Sequence, residues 1–432
     1  MHTDLNARRI GSACTGLLFF ALLACTGVRP APLHALQESA ADITYESRGP
    51  TGLVGDAVRA LKSAVAWVGE RVEASRVVPK VLSAQAWLTR HGFRPRLAGH
   101  GRQSGTGPWL DAGWIETAER PFALHLWGGI THVQYRVVGA RAVTRVNLAR
   151  HPIEVEISGQ IARRPRDEFF GLGSASQEAD RSDYKLVSRS IRVTLARKVG
   201  AELAVHLLFD WSRRETGVGT NQDLPDLVDV FTPEAAPGYG LVARAVAVGG
   251  GVAWRHGIPF SQQRRGVWIE ADYRHIFGQS DWMRDFGQAR LAVGAEWPVD
   301  EERGSLTLAG EYRGVRGGGS SVPFYDLPAL GGAAFPAFQW DRLRAREIFL
   351  SRFEARSRLW RQAADAVWVD AILFTALGLV GDDLFGDLSF SAVHNIFGLA
   401  FGVVTADASI GRVGVSYGSE GVRAVLAFGS TF

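Results

Sequence analysis

The chain contains few cysteines and few lysines. Its 432 residues include 2 Cys, Cys14 and Cys25, so a disulfide framework is excluded for most of the chain. All but four of its 48 basic residues are arginine, and the formal net charge is +4, so the composition implies no nucleic-acid partner. Arginine suits dense ion pairs in a low-dielectric interior, although a biased genome composition explains the ratio equally well.

Long apolar runs are also missing. Beyond the amino-terminal region no segment reaches the roughly 18 consecutive apolar residues of a membrane-spanning helix, so any other membrane span must be β. A mean hydropathy near zero, with 50 Gly and only 17 Pro, excludes a disordered chain. The length suits either two or three soluble domains or one membrane barrel of about sixteen strands.

The amino terminus has the organisation of a signal peptide. Two arginines precede an apolar segment, residues 13–24, and small residues and prolines follow as far as Ala35. Two processing routes are open: cleavage after Ala35, or lipid modification of Cys25. We favour cleavage, because Leu23 is unusual in a lipid-attachment motif. Cleavage removes residues 1–35 and leaves a mature chain without cysteine, which fits the periplasm and the outer membrane.

Residues 36–90 contain one amphipathic pattern. Valines and a leucine recur at spacings of three and four between Val54 and Val72, which predicts a helix that ends near Pro79. This helix either packs at the periplasmic mouth or in the lumen of a barrel, or serves as a docking helix or plug. Burial is the simpler explanation of such a stripe. We interpret residues 36–90 as a periplasmic leader that carries this helix.

From residue 91 to the carboxyl terminus, apolar residues alternate with charged or small ones. A strand turns successive side chains to opposite faces, so a wall between lipid and a polar lumen needs this pattern. Examples of the apolar parity are Ile153, Val155 and Ile157; Leu203, Val205, Leu207 and Phe209; Val267, Ile269 and Ala271; and Val422, Ala424, Leu426 and Phe428. A soluble core would not bury so many charges on regular strands.

The segments number about sixteen, an even count, as in bacterial barrels. Their connections alternate between short and long, and the long ones, residues 164–182, 216–237 and 314–346, all fall outside if the amino terminus is inside. The sequence therefore predicts an all-β fold, a transmembrane antiparallel barrel over residues 91–432. The predicted strands start near Phe93, Trp109, Phe122, Gln134, Ile153, Tyr184, Leu203, Leu241, Val267, Phe286, Leu306, Ile348, Val367, Asn395, Ser409 and Val422.

Three elements between residue 77 and the carboxyl terminus resemble the BamA/TamA-like bacterial surface antigen superfamily. Phe170, Gly171, Leu172 and Gly173, followed by Asp180 and Tyr184, are similar to its "YFGLGN…D…Y" loop. The connection before the twelfth predicted strand is similar to its "LGG…LRGF…RFR" loop, and Asp370 is similar to the Asp of its "F.D.G" strand element. The residues that carry the second similarity are Gly331, Gly332, Phe338, Arg342 and Arg344.

The second loop departs from the family motif. The resemblance implies that this loop folds back into the lumen, where the Arg of its RGF motif pairs with the Asp of the thirteenth strand. Here Pro336 and Ala337 stand where that Arg and Gly are expected, while Asp370 remains. An inward carboxylate without a partner is costly, so we predict that Arg342 or Arg344 pairs with Asp370.

The resemblance also implies a mechanism at the seam between the first and last strands. In the family these strands pair weakly, part sideways and template an incoming strand by β-augmentation, or thin the nearby bilayer. Pro95, Gly99 and Gly101 would loosen the first strand. The last strand ends in Gly429, Ser430 and Thr431 between Phe428 and Phe432, although terminal strands of any barrel are irregular. Residues 36–90 show no strand pattern, so we expect a member without POTRA modules.

The predicted function is insertion or export of proteins at this seam. The alternative is a passive or structural barrel, a plugged channel without insertase activity. An enzyme is not expected, because His125, His206, His275 and His394 come with no recognisable Ser/Asp pattern, and no cofactor or metal is predicted. The expected location is the cell outer membrane. The expected partners are outer-membrane lipids, lipopolysaccharide, and unfolded outer-membrane or exported proteins, with no nucleic acid.

Overall fold

Sixteen strands form one sheet in which each strand is hydrogen-bonded to its neighbours in chain order. The computed structural model describes residues 93–99, 106–114, 122–148, 151–258, 265–300, 304–361, 367–384, 386, 393–405 and 409–428. The predicted signal peptide and amphipathic helix lie outside these residues. Within them, no helix has the length and hydropathy to cross a membrane.

Two further strands, of two residues each, form a separate antiparallel ladder. The described parts of the connections contain one short helix, α1 (Leu227–Val230), and three 3-10 turns, Glu178–Asp180, Gly319–Ser321 and Phe324–Asp326. The strands are β1 (Phe93–Gly99), β2 (Thr106–Trp114), β3 (Phe122–Ile130), β4 (Arg136–Leu148), β5 (His151–Phe169), β6 (Ser182–Val199), β7 (Leu203–Val218), β8 (Val242–Ile258), β9 (Arg265–Gly278), β10 (Phe286–Asp300), β11 (Gly304–Gly317), β12 (Ala329–Leu330), β13 (Leu343–Arg344), β14 (Glu347–Arg361), β15 (Val367–Gly381), β16 (Val393–Thr405), β17 (Ser409–Gly418) and β18 (Gly421–Phe428).

The two faces of the sheet differ as the alternation predicts. On β7, Leu207 and Phe209 are 64% and 47% exposed, whereas Asp210 between Phe209 and Trp211 is 6% exposed. The apolar residues form the outer face, and the inner face carries charged and small residues. Because the exposed face is apolar on most strands, it is suited to a hydrocarbon environment rather than to water.

The long connections lie at one end of the sheet, because they follow every second strand. Residues 170–181, 219–241 and 318–346 make up these connections, so β5, β7 and β11 each end later than the sequence predicted. On β5 the extension follows a bulge between Arg164 and Asp167, after which Asp167 pairs with Tyr184. A bulge changes the direction of a strand without ending its ladder, and the alternation breaks there, so the pattern suggested an earlier end.

Strands that are six places apart in the sheet, β5 and β11, line the same cavity, so the sheet is curled around its inner face. Residues 90–358 and 365–432 form one unit that contains this sheet. A second unit comprises residues 1–89 and 359–364, of which only the last three residues of β14 are described.

Candidate functional site

The connection between β11 and β14, residues 318–346, lies on the inner face of the sheet and is called the inner loop below. Its hairpin consists of β12 and β13, with Ala329 paired to Arg344 and Leu330 to Leu343. Gly331 has a φ of 133° and Gly332 a φ of 68°, values that side chains disfavour, so the glycines of the predicted motif shape this turn. The Gly332 N–H donates to the Phe338 carbonyl at 3.2 Å and closes the tip.

An apolar core joins the tip of the inner loop to the sheet. Phe335 and Ala337 are both fully buried, and Phe338 is 3% exposed. The rings of Phe335 and Phe338 stack with centroids 5.0 Å apart. The core also contains Leu330, Leu343, Ala345, Ile348, Leu350, Ile372, Phe374, Ala376, Val380, Ile396, Ala400 and Val425. The inner face of β14 to β18 is therefore apolar at this level, where the charged parity would predict polar groups.

This core explains two departures from the family motif together. Ala337 takes the place of the expected Gly and is buried in the core, next to buried Pro336. Ile372, where the family has Gly, belongs to the same core. The chain thus makes an apolar contact between loop and wall where the resemblance implies an ion pair, and burial of this area stabilises the docked loop.

Arg342 connects the inner loop to two other segments. Its Nε donates to Glu420 Oε1 at 2.6 Å in the β17–β18 turn, and its side chain is 5% exposed. Nη1 and Nη2 donate to the side chain and backbone oxygens of Ser176, both at 2.8 Å. The guanidinium also lies 5.0 Å from the centre of the Phe170 ring. Arg342 therefore joins the inner loop to the 170–181 connection and to the last hairpin.

Arg344 acts within the loop. Its Nη1 donates to the carbonyls of Phe324 and Leu327, each at 3.1 Å, and its Nη2 lies 3.2 Å from Asp341 Oδ2. The Arg344 carbonyl accepts a hydrogen bond from the Gly173 N–H at 2.7 Å. Arg344 thus holds the two legs of the loop together and ties the loop to the predicted family motif at residues 170–173.

The prediction that Arg342 or Arg344 pairs with Asp370 is wrong. The fully buried Asp370 forms an ion pair with Arg358, whose Nε lies 3.6 Å from Asp370 Oδ1, and neither Arg342 nor Arg344 contacts it. Asp370 pairs in register with Gly402, which pairs in turn with Arg412, so Asp370 lies at the height of Arg412. Glu420, the partner of Arg342, lies beyond Gly418 at the end of the same strand. The interval from Arg412 to Gly418 spans roughly 20 Å along the strand, so Arg342 is far from Asp370.

A buried carboxylate below the loop tip has three arginine neighbours. Glu354 is 2% exposed and forms ion pairs with Arg352, with Arg356 at 2.9 Å and with Arg412 at 3.4 Å. Arg412 also donates through Nη2 to the Ala333 carbonyl at the loop tip, at 2.9 Å. The alternation predicts that Arg352, Glu354 and Arg356 point inward, but it gives no sign that they support the loop.

Arg342, with its partners Glu420 and Ser176, is called the clamp below. Two carboxylates beside it, Glu178 and Glu420, have pKa values shifted in opposite directions. Burial disfavours ionisation of Glu178, but hydrogen bonds from Arg423 and Gln339 outweigh it, so its pKa lies below its usual value. Burial raises the pKa of Glu420, Arg342 opposes that effect, and the neighbouring Glu178 carboxylate adds to it. The two carboxylates thus share two arginines at one junction of three chain segments.

The shift of Glu178 predicts a dependence of stability on pH. A carboxyl whose folded pKa is lowered stabilises the fold above its ordinary pKa of 4.5, and this contribution is lost as pH falls through the folded value. We expect the free energy of unfolding of the wild type to exceed that of Glu178→Gln at neutral pH, by no more than about 1 kcal/mol because the group is partly exposed. Urea titrations of both proteins at neutral and acidic pH should show the difference vanish in acid; a constant difference would contradict the assignment.

The turn at Gly331 gives a second prediction. A Cβ at this residue would lie 1.8 Å from the Gln339 carbonyl oxygen, and its φ of 133° is itself unfavourable for other residues. We expect Gly331→Ala to lower the free energy of unfolding by more than about 2 kcal/mol, because strain and clash add. The control is Gly173→Ala, which is also at positive φ but meets nothing within 4 Å. Equal effects in the two variants would refute the close approach.

The predicted site residues have different outcomes. Phe170, Gly171, Leu172 and Gly173 lie beside the inner loop, and Gly171 and Gly173 have φ values of 93° and 84°. The predicted seam residues Gly101 and Phe432 lie outside the described residues, as do the side chains of Pro95 and Phe428. Glu420, Ser176 and Glu178 were not predicted, because single polar residues in connections give no periodic signal. The missed groups on the sheet are Arg358, Glu354 and Arg412.

No known family profile matches the chain, and no curated protein matches it by sequence. The solved structure of BamA from Haemophilus ducreyi lacking POTRA domains 1–3 is similar, with a TM-score of 0.53 and 12% identity over 81% of this chain and 76% of that chain. The fold resembles the BamA barrel. CdiB from Escherichia coli is similar at a TM-score of 0.50 and 10% identity, over 78% of this chain and 59% of that chain. At these identities the likeness concerns the fold.

Proposed function

We propose that this chain is an outer-membrane β-barrel that aids insertion or export of other proteins at a seam between β1 and β18. The likeness of its fold to the BamA and CdiB barrels supports a closed sheet, and the apolar outer face supports a lipid environment. Outer-membrane lipids and lipopolysaccharide would contact that face. The proposal assigns no catalytic role to the chain, because insertion at a seam requires strand pairing rather than bond chemistry.

The observation that carries the proposal is the position of β1 and β18 at the two ends of the strand order. Cα atoms of β1 and β18 come within 8 Å of each other. Pro95 in β1 lacks a backbone donor, which weakens a ladder on that strand. Edge strands with a weakened ladder can part and can accept an incoming strand.

The contacts of Arg342 on the inner face of the sheet also support the proposal. They attach the inner loop to the β17–β18 turn, so the last hairpin is held by the loop as well as by its neighbour β17. An opening between β1 and β18 could therefore leave the last hairpin in place. This arrangement suits a seam that opens and closes repeatedly without unfolding the sheet.

Photo-cross-linking tests the proposal. A cross-linking amino acid replaces Leu97 in β1 or, as the control, Phe209 on the outer face of β7. During assembly of a labelled client barrel, the β1 position should give adducts with the client, and the β7 position should give none above background. Equal capture at both positions would indicate non-specific contact and would contradict the proposal.

A second candidate function is a plugged, passive or structural barrel. The observation that favours it is the inner loop itself, whose apolar core and clamps fill one part of the inner face. Ion pairs across neighbouring strands, such as Arg290 with Glu270 and Glu311, occupy more of that face. This candidate predicts low conductance in planar bilayers and no acceleration of client folding, whereas the seam proposal predicts acceleration.

A further inference from the structure

A cavity of about 960 Å³ lies on the inner face beside the inner loop. Residues of β5 to β7, of β9 to β11 and of the inner loop line it, and they include eight arginines and six carboxylates. Most of these charges are paired. Among the described residues, Arg189 and Arg274 form no ion pair. Arg189 is exposed on β6, whereas the surroundings of Arg274 indicate what the cavity can bind.

Two arginines in the wall have carboxylate partners of their own. Arg192 on β6 donates through Nε and Nη2 to Asp210 Oδ2 at 3.0 and 2.6 Å. Arg214 on β7 forms an ion pair with Asp326 of the inner loop. Asp326 is 8% exposed in its side chain and Asp210 is also 8% exposed, so both carboxylates are largely withdrawn from solvent by these contacts.

Arg274 on β9 lies near both of these ion pairs. Its Nε donates to the amide oxygen of Gln288 at 2.7 Å, and among the described residues no carboxylate forms an ion pair with it. The charged groups around it are Asp210, Asp326, Arg192 and Arg214. Three guanidinium groups thus share two carboxylates, and the terminal nitrogens of Arg274 make no hydrogen bond within the described part of the chain.

The charged residues around Arg290 provide no carboxylate for Arg274. Arg290 on β10 lies 3.1 Å from Glu270, 3.5 Å from Asp272 and 2.6 Å from Glu311. Glu270 also pairs with Arg255, and Glu311 also pairs with Arg313. Asp272 lies 3.1 Å from His206. This second group is balanced, so the excess positive charge stays at Arg274.

We propose that the cavity binds an oxyanion, a phosphate or carboxylate group, at Arg274 with Arg192 and Arg214 at its flanks. The planar guanidinium offers two parallel N–H donors that match the two oxygens of such a group. Restricted access of water strengthens the attraction. A cavity of about 960 Å³ accommodates the anion together with the small molecule or headgroup that carries it.

Calorimetric titration of the full-length protein with inorganic phosphate, in a phosphate-free neutral detergent, tests the site. We expect saturable binding of phosphate to the wild type. The affinity of Arg274→Gln should be lower by roughly tenfold or more, and that of Arg274→Lys should be intermediate, because lysine keeps the charge but loses the two parallel N–H donors. The control is Arg244→Gln, since the Arg244 side chain is exposed at the start of β8; it should bind as the wild type does. Heat-dependent gel mobility confirms that each variant is folded.

A second arm distinguishes the source of the anion. A short-chain phosphatidic acid replaces inorganic phosphate in the same four proteins. Binding of the lipid alone that depends on Arg274 assigns the site to a headgroup, and binding of inorganic phosphate alone assigns it to a free anion. The proposal is overturned if the wild type binds neither probe, or if Arg274→Gln binds both as tightly as the wild type.

Discussion

Arg342→Ala should lower the free energy of unfolding by about 3 to 5 kcal/mol. The substitution removes an ion pair at 2.6 Å to Glu420 and two hydrogen bonds to Ser176, and it leaves the largely buried Glu420 carboxylate with Arg423 as its remaining arginine. Arg342 is the residue at which the inner loop, the 170–181 connection and the last hairpin meet. Urea titration of the refolded protein in detergent measures the change.

Two companions make the Arg342 result specific. The double variant Arg342→Ala/Glu420→Gln should recover part of the lost free energy of unfolding, because the carboxylate that lost Arg342 is then replaced by a neutral amide. Arg244→Ala removes an exposed arginine and should change the free energy of unfolding by no more than about 0.5 kcal/mol. A loss below about 1 kcal/mol in Arg342→Ala would show that the clamp contributes no more than a surface pair.

Glu354→Gln should have an effect of similar size for a different reason. The glutamate is 2% exposed and is the shared counterion of Arg352, Arg356 and Arg412. A neutral amide leaves three positive charges close together in a region that water reaches poorly, so we expect a loss of about 3 to 5 kcal/mol. The same urea titration measures it.

The charge explanation of Glu354 is separable from a packing explanation. Gln has nearly the shape of Glu, so a large loss in Glu354→Gln reports the missing charge. Adding Arg352→Gln to the variant removes one of the three positive charges around residue 354 and should restore part of the stability. Glu215→Gln, at an exposed position on β7, serves as the matched control. If the double variant is less stable than Glu354→Gln alone, charge balance is not the cause.

The alternation of side chains was sufficient to place the strands. Each predicted start lies within three residues of the observed one, the largest difference being Trp109 against Thr106. The reason is that a sheet with one apolar and one polar face fixes the register of every strand by a period of two. Strand ends at the long connections were less accurate, because the alternation breaks before the ladder ends, as at the bulge between Arg164 and Asp167 on β5.

The inner loop could be located from the sequence, but its contacts could not. Gly331 and Gly332 marked its turn, and Arg342 and Arg344 were recognised as its cations. Their partners lie far away along the chain, as Ser176 and Glu420 show, and such pairs leave no periodic trace in one sequence. Asp370 was expected to take one of these arginines, whereas a neighbouring strand provides Arg358. The local sequence pattern therefore predicted the strands and the turn, whereas the partners of the arginines and of Asp370 became known only from the folded structure.

The proposed seam is tested most directly by locking it. Cysteines are placed in pairs, one in β1 and one in β18, at positions whose Cα atoms lie within disulfide reach, about 4.4 to 6.8 Å. The expected mature chain has no other cysteine. A pair at Val415 and Ala424, which are partners in the β17–β18 ladder, provides a control that leaves the seam free. The measurement is the folding rate of an unfolded client barrel in proteoliposomes that contain each protein.

We expect the unlocked protein and the Val415/Ala424 control to accelerate folding of the client. The oxidised seam lock should abolish that acceleration, and reduction of its disulfide should restore it. Acceleration that survives the oxidised seam lock, or no acceleration by the unlocked protein, would contradict a working seam and leave the passive barrel as the account of this chain.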